Sequence, residues 1–215
     1  MLVVFDLDGT LLKDETPVKL VEAAGKRRLG EQVSKWVKEG KITEEQEMKI
    51  YALLLAGMPY KKAVEVSRKI KYRNGAKELV KFLKNRGDTL AIISEGYSLT
   101  AERAKKELGF DYAFSNKLEV KNGVLTGRLI TPYKDRIPYE KCIQHCLCKR
   151  KVLADLMEKL QIESKDVIAI GDGISDWCLL EMAGKSIGFN PDERIRGRVG
   201  YIVESQDLRS LLPYL

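Results

Sequence analysis

Val3-Val4-Phe5-Asp6-Leu7-Asp8-Gly9-Thr10 runs an apolar strand straight into two acids, a glycine and a hydroxyl. A short apolar run bounded by turn residues is the pattern of a strand buried in a parallel sheet. Open α/β folds bind their ligands beyond the carboxyl ends of such strands, and Asp6 falls at that end. Because side chains alternate along an extended chain, Asp6 and Asp8 point to one side while Leu7 points into packing. Two acids so placed can hold a divalent cation and divide nucleophilic and acid/base work between them. The same eight residues also read as a strand closed by an Asp-Gly turn, so the remainder of the chain has to decide.

The layout recurs at Gly171-Asp172-Gly173-Ile174-Ser175-Asp176, where acids close a second buried-strand pattern, Val167-Ile168-Ala169-Ile170. A third apolar run, Leu90-Ala91-Ile92-Ile93, ends in Ser94, and Lys149 stands ahead of the Gly-Asp-Gly element. These four elements, in this order, resemble the haloacid dehalogenase superfamily of phosphohydrolases. Within it the chain looks like the phosphoserine phosphatase branch. The matching segments are the run from Asp6 to Glu15, Leu83-Lys84-Asn85-Arg86-Gly87, Leu108-Gly109-Phe110-Asp111-Tyr112-Ala113-Phe114, Asn122-Gly123-Val124-Leu125-Thr126-Gly127 and Asp207-Leu208-Arg209.

A chain of 215 residues can bury one full core and a small second one. No apolar run approaches the roughly 20 residues needed to span a bilayer, and the apolar N-terminus meets Asp6 too early for a signal peptide; a cytoplasmic protein is expected. The formal charge of +7 favours anionic partners, a phosphate ester or RNA among them. The Lys and Arg residues are scattered among 31 acids without an aromatic-interleaved basic stretch, which speaks against nucleic-acid binding. A charged fraction of 32% rich in Lys and Glu would suit a thermophile.

Cys142, Cys146 and Cys148 crowd around the single histidine, His145, with Cys178 apart from them. A zinc site usually needs two ligand pairs held apart by a loop, and no second pair exists, so free thiols are expected. A redox-sensitive pair is the alternative that the crowding suggests.

The pattern as a whole is α/β: a doubly wound parallel sheet with a small all-helical cap inserted after the first strand and a short β-hairpin flap. Residues 1–14 and 73–215 form the core in this reading, and residues 15–72 the cap. Thr16-Pro17 opens a first cap helix that Gly25 stops, residues 26–39 form a second, Thr43 and Gln46 make a capping box for a third, and Pro59 opens a fourth. Tyr51, Leu54, Leu55 and Met58 fall on one apolar face, suited to packing against neighbouring helices. In the core, helices are expected at 75–86, 97–108, 148–160 and 175–183 and from Asp207 onward. Strands are expected at 89–93, 112–115, 167–170, 186–189 and 201–203. Asn122-Gly123 turns a separate hairpin, 117–120 with 124–130, and residues 131–141 form a loop.

The resemblance implies a magnesium-dependent phosphomonoester hydrolase acting through an aspartyl-phosphate, with phosphoserine hydrolysis in L-serine biosynthesis as its reaction. Asp6 would be the nucleophile and Asp8 the acid and base. Asp6, the Asp8 carbonyl, Asp172 and Asp176 would hold Mg²⁺. Ser94 and Lys149 would neutralise the phosphoryl oxygens. Lys149, Arg150 and Lys151 also read as a charge run facing solvent, with Lys151 as reserve for the catalytic cation. Backbone amides of Leu7, Gly9 and Thr10 would cradle the phosphate. Glu15 would contact the substrate's amino group, and Tyr51, Glu95 and Gly96 would line the substrate site. The partner is then a small phosphorylated metabolite, with no membrane contact, and the protein a monomer or homodimer.

The chain departs from that family at several points. Ungapped matching puts Lys38, Glu44 and Tyr51 where the family has Met, Phe and a carboxylate-binding Arg. Glu95 replaces a Gly, and Ser175 an Asn. A substrate carboxylate without a bidentate cation would lose a charge-assisted bond, for which Lys49, Lys38 or Arg27 are the candidates to substitute. An acid at position 95 would repel a dianion unless it turned away or met a cation. These departures keep open a phosphatase or phosphotransferase for another small metabolite, and, from a different class, a non-catalytic anion- or RNA-binding protein.

Overall fold

The computed structural model describes residues 1–133, 135–137 and 145–215. Leu2–Phe5 (β1) is buried along its whole length and lies between two parallel neighbours, Thr89–Tyr97 (β2) and Val167–Gly171 (β5). Phe5 is in register with Ile92 on one side and Ile170 on the other. Tyr112–Lys121 (β3) extends the sheet beyond β2, and Val124–Ile130 (β4) closes that edge antiparallel to β3. Lys185–Phe189 (β6) and Tyr201–Val203 (β7) extend it parallel beyond β5, so the order is β4-β3-β2-β1-β5-β6-β7.

Alternation along β1 feeds two cores. Val3 and Phe5 pack on Ala76–Asn85 (α5), Ser98–Leu108 (α6) and the C-terminal turn Leu208–Tyr214 through Leu79, Leu83, Ala101, Ala104 and Leu208. Leu2 and Val4 pack on Lys149–Leu160 (α7) and Trp177–Met182 (α8) through Leu153, Leu156, Leu179 and Leu180. Helices on both faces explain why the central strands are apolar without interruption.

A third core belongs to the helices between β1 and β2: Thr16–Ala23 (α1), Arg27–Lys38 (α2), Glu44–Leu54 (α3) and Tyr60–Lys69 (α4). Leu20, Val33, Tyr51, Leu55 and Ala63 pack on one another and on Leu118 and Leu125 of the β3–β4 hairpin. The capping box of α3 is present, with Gln46 N donating to Thr43 Oγ1 and Thr43 N to Gln46 Oε1. The two connections between this block and the sheet run side by side: Arg73 N donates to Leu11 O (2.9 Å), and Leu12 bridges Tyr72.

Three local expectations change. Residues 112–121 form one strand rather than a core strand and a separate flap, because no Gly or Pro follows the buried Ser115 and Asn116 to stop it. Its first half pairs with β2 and its second with β4 across the Asn122-Gly123 turn, where both residues have positive φ. Helix α1 is entered through Glu15, not Thr16, whose hydroxyl is used elsewhere. A short helix not foreseen, Glu193–Arg196 (α9), is capped by the Asp192 carboxylate accepting from Arg194 N. Among the described residues, no helix is long and apolar enough to cross a membrane.

Candidate active site

From β1 the sheet runs one way to β2 and the other way to β5, which opens a crevice at the carboxyl ends of the three strands. A cavity of about 190 Å³ lies there. Asp6, Asp8, Ser94, Glu95, Asp172 and Asp176 line its floor, and Glu15, Pro17, Glu44, Glu47 and Met48 reach it from the helical block.

Lys149 is 1% exposed, at the start of α7, and its ammonium lies 2.5 Å from both Asp6 Oδ1 and Asp176 Oδ1. Burial favours the neutral amine, but Asp176 and Asp6 outweigh it and hold the ammonium above its ordinary value. The solvent-facing reading of the charge run therefore fails for Lys149. Lys151 is turned outward to pair with Asp155, so the reserve assignment is corrected. Burial drives the Asp6 carboxyl well up; Lys149 opposes this, and the charges of Asp176 and Asp172 add to it. Burial and then Asp176 raise Asp172 to about 7.

Asp6, Asp172 and Asp176 each offer a carboxylate oxygen within 4.8 Å of the others. Three hard oxygen donors so close, two of them driven up by burial and then by neighbouring carboxylate charge, fit a hard divalent cation. Asp176 is fixed by the backbone amides of Asp172 and Gly173, each 3.0 Å from its Oδ2. Thr10 Oγ1 donates to Asp172 Oδ1 at 2.6 Å. Gly9 has φ +86°, and a Cβ there would stand 2.3 Å from Asp172 Oδ2, so the loop after β1 needs glycine on both counts.

Asp8 lines the cavity and turns one oxygen to the helical block and the other toward Gly96. Its Oδ1 accepts from Thr16 N (2.8 Å) and Thr16 Oγ1 (2.6 Å), whereas Oδ2 is buried without a partner. Burial raises its carboxyl to about 6 against the Thr16 bonds, in the range where one group can both donate and accept a proton near neutrality. Gly96 leaves room for Oδ2, since a Cβ there would lie 2.3 Å from it. Ser94 is buried and its Oγ accepts from Gly96 N at 3.0 Å, leaving the hydroxyl hydrogen to donate.

The acid at position 95 does not turn outward: burial pushes its carboxyl up, and the charges of His145 and Lys149 oppose that push. Its carboxylate accepts from Cys146 N (3.2 Å) and Leu147 N (3.0 Å), in the turn that leads into α7 and Lys149. Glu15 lines the cavity as expected. Tyr51 does not: it is 2% exposed inside the helical block, with its hydroxyl 2.6 Å from Ser34 Oγ, so its substrate-site assignment is corrected. It sits on the face of α3 that packs inward. His145 Nδ1 lies 3.2 Å from Glu44 Oε2, and Cys146 and Cys148 are buried free thiols. Cys142 lies outside the described residues.

Three contributors went unread in the sequence. Thr16 served only as a helix-start signal, and Glu47 carried no motif beyond its i, i+3 spacing from Glu44. Arg73 had no signal at all; it donates from Nε and Nη2 to Gly9 O (3.1 and 2.6 Å) and stacks over Phe189.

The fold has counterparts among known proteins. The chain belongs to the haloacid dehalogenase-like hydrolases, whose family model matches residues 3–181. More narrowly, it is 31% identical to the phosphoserine phosphatase of Methanocaldococcus jannaschii over all of this chain and 97% of that one. It is 35% identical to the phosphoserine phosphatase of Archaeoglobus fulgidus, of which it covers 59%. A solved structure described as the phospho-aspartyl intermediate analogue of phosphoserine phosphatase superposes with a TM-score of 0.88 at 31% identity, covering 100% of this chain and 98% of that one.

Proposed function

We propose that the chain is a magnesium-dependent phosphomonoester hydrolase acting through an aspartyl-phosphate on Asp6, with a small amine-bearing ester as substrate. Phosphoserine is the member of that class that the relatives' names point to. The observation that carries the reading is the enclosed Lys149 between Asp6 and Asp176, beside an Asp8 oxygen left without a partner.

The Asp6 carboxylate attacks phosphorus in line and the bond to the leaving oxygen breaks. Asp8 Oδ2 gives that oxygen its proton, then takes one from the water that attacks the phosphorylated Asp6. Lys149 keeps the Asp6 carboxylate ionised and aimed, and with the Ser94 hydroxyl it offsets the charge that spreads over the phosphoryl oxygens. Asp6, Asp172 and Asp176 would hold the magnesium ion, which when bound neutralises phosphoryl charge. Glu15 meets the amine of the leaving group. In this reading residues 15–72 are a cap that shields the transfer from bulk water, and residues 1–14 and 73–215 are the catalytic core.

Phosphate release from phosphoserine in Mg²⁺, with Asp6→Asn as the blank, tests this. Release that needs both Mg²⁺ and Asp6 is the expected result. Undiminished turnover by Asp6→Asn would overturn it.

A further inference from the structure

The side of the cavity formed by the helical block is acidic throughout. Glu15, Glu44 and Glu47 face it with Met48 and Pro17, and among the described residues no Lys, Arg or His lines it. Glu95 adds a fourth acid, already engaged by two backbone amides.

The acids of α3 are not merely complements to a helix N-terminus. Glu45 turns outward, to Lys49 (2.5 Å) and Arg136 (3.4 Å), whereas Glu44 and Glu47, three residues apart, share the face toward the cavity. The nearest cations among the described residues lie outside the lining. Lys149 is enclosed by Asp6 and Asp176, Arg194 is held by Asp192 at 2.9 Å, and Lys38 lines a neighbouring cleft with Arg27, Ser34 and Lys35, from which its charge acts on Glu15 and Glu47. His145 pairs with Glu44 at 3.2 Å from outside the lining.

We propose that this site selects its leaving group by positive charge alone. Glu15, Glu44 and Glu47 receive a protonated amine, no basic side chain among the described residues lines the cavity to meet a carboxylate, and the preferred substrate is the phosphate monoester of an amino alcohol rather than of an amino acid. The inference rests on the phosphomonoesterase reading above and names the substrate class of that same cavity. An ammonium among three carboxylates gains charge-assisted bonds, while a carboxylate on the same leaving group meets like charge. Met48 and Pro17 give its carbon chain an apolar surface.

The test compares kcat/KM for three esters in Mg²⁺: phosphoethanolamine, phosphoserine and glycerol phosphate. Phosphoethanolamine should exceed phosphoserine by about tenfold or more, the size expected of losing one charged contact. Glu44→Gln and Glu47→Gln should each narrow that ratio, chiefly by raising KM for phosphoethanolamine, and Glu44→Lys should shift preference toward phosphoserine. Equal or better turnover of phosphoserine by the unaltered protein would overturn the inference while leaving the phosphatase reading intact. So would a ratio that the Gln variants leave unmoved. No Mg²⁺-dependent release from any of the three esters would overturn the phosphatase reading itself. Thermal melts of the variants show which are folded, and the comparison of esters on the unaltered protein decides the matter without them.

Discussion

Lys149 is a charge enclosed by the two acids it serves. Removing one partner from such an arrangement costs about 3–5 kcal/mol, because the remaining charges are left buried and uncompensated. Lys149→Met should therefore lose turnover and melt several degrees lower at neutral pH. Its pH dependence distinguishes electrostatics from packing. Asp6 already lies above its ordinary value, and without the ammonium it rises further. An acid raised on folding contributes stability below its unfolded value and loses it as pH climbs through the folded one. The melting deficit of Lys149→Met, measured without metal, should shrink toward acid and widen toward neutrality. A deficit constant with pH would point to packing instead. The thiols give a second check at this scale. Burial pushes the Cys146 thiol up to about 12, so it should resist alkylation in the native protein and react only on unfolding. Rapid native labelling of Cys146 would contradict that environment.

At the scale of elements, the first turn of α1 reaches the acid and base proposed for the reaction. Thr16 gives both its amide and its hydroxyl to Asp8 Oδ1, and these bonds hold the Asp8 carboxyl down against burial. Thr16→Val keeps shape and amide but removes the hydroxyl bond. The Asp8 carboxyl should then rise above about 6, so the pH limb of kcat that reports it should move toward alkali, with kcat reduced about tenfold. An unmoved limb would dissociate Thr16 from the acid. The return connection from α4 to α5 has a parallel role through Arg73, whose two bonds to Gly9 O set the orientation of the loop between Asp8 and Thr10. Arg73→Lys cannot reproduce the paired donors and should lower kcat more than it raises KM.

At the scale of the whole molecule, a net charge of +7 surrounds an acid-lined cavity. The outer field should draw in phosphomonoester dianions, so raising salt to about 0.5 M should reduce kcat/KM while leaving kcat nearly unchanged. What could be read without the fold follows the same division of scale. Asp6, Asp8, Ser94 and Asp172 were legible because each closes an apolar run, and a strand end is a local pattern. The switch point at β1 followed from those runs and the helical insertion between them. Lys149 needed the resemblance, since a Lys-Arg-Lys run looks the same whether it faces water or a buried acid. Arg73 and the engagement of Glu95 were illegible because each depends on a partner brought from far along the chain, 64 positions away for Arg73 and Gly9 and 51 for Glu95 and Cys146. Tyr51 was misplaced by matching position to position, against the apolar face of α3 on which its own spacing put it.

The paired connections at Leu11–Lys13 and Lys71–Arg73 make the helical block an insertion whose two ends meet. Such an insertion can be exchanged as a module: a block of different lining, spliced at the same two points, would bring new discrimination to an unaltered reaction centre. The exchange carries one restriction. Any replacement must again present a hydroxyl and an amide at its first turn, because Asp8, the proton donor proposed for the core, is tuned by a residue that travels with the graft.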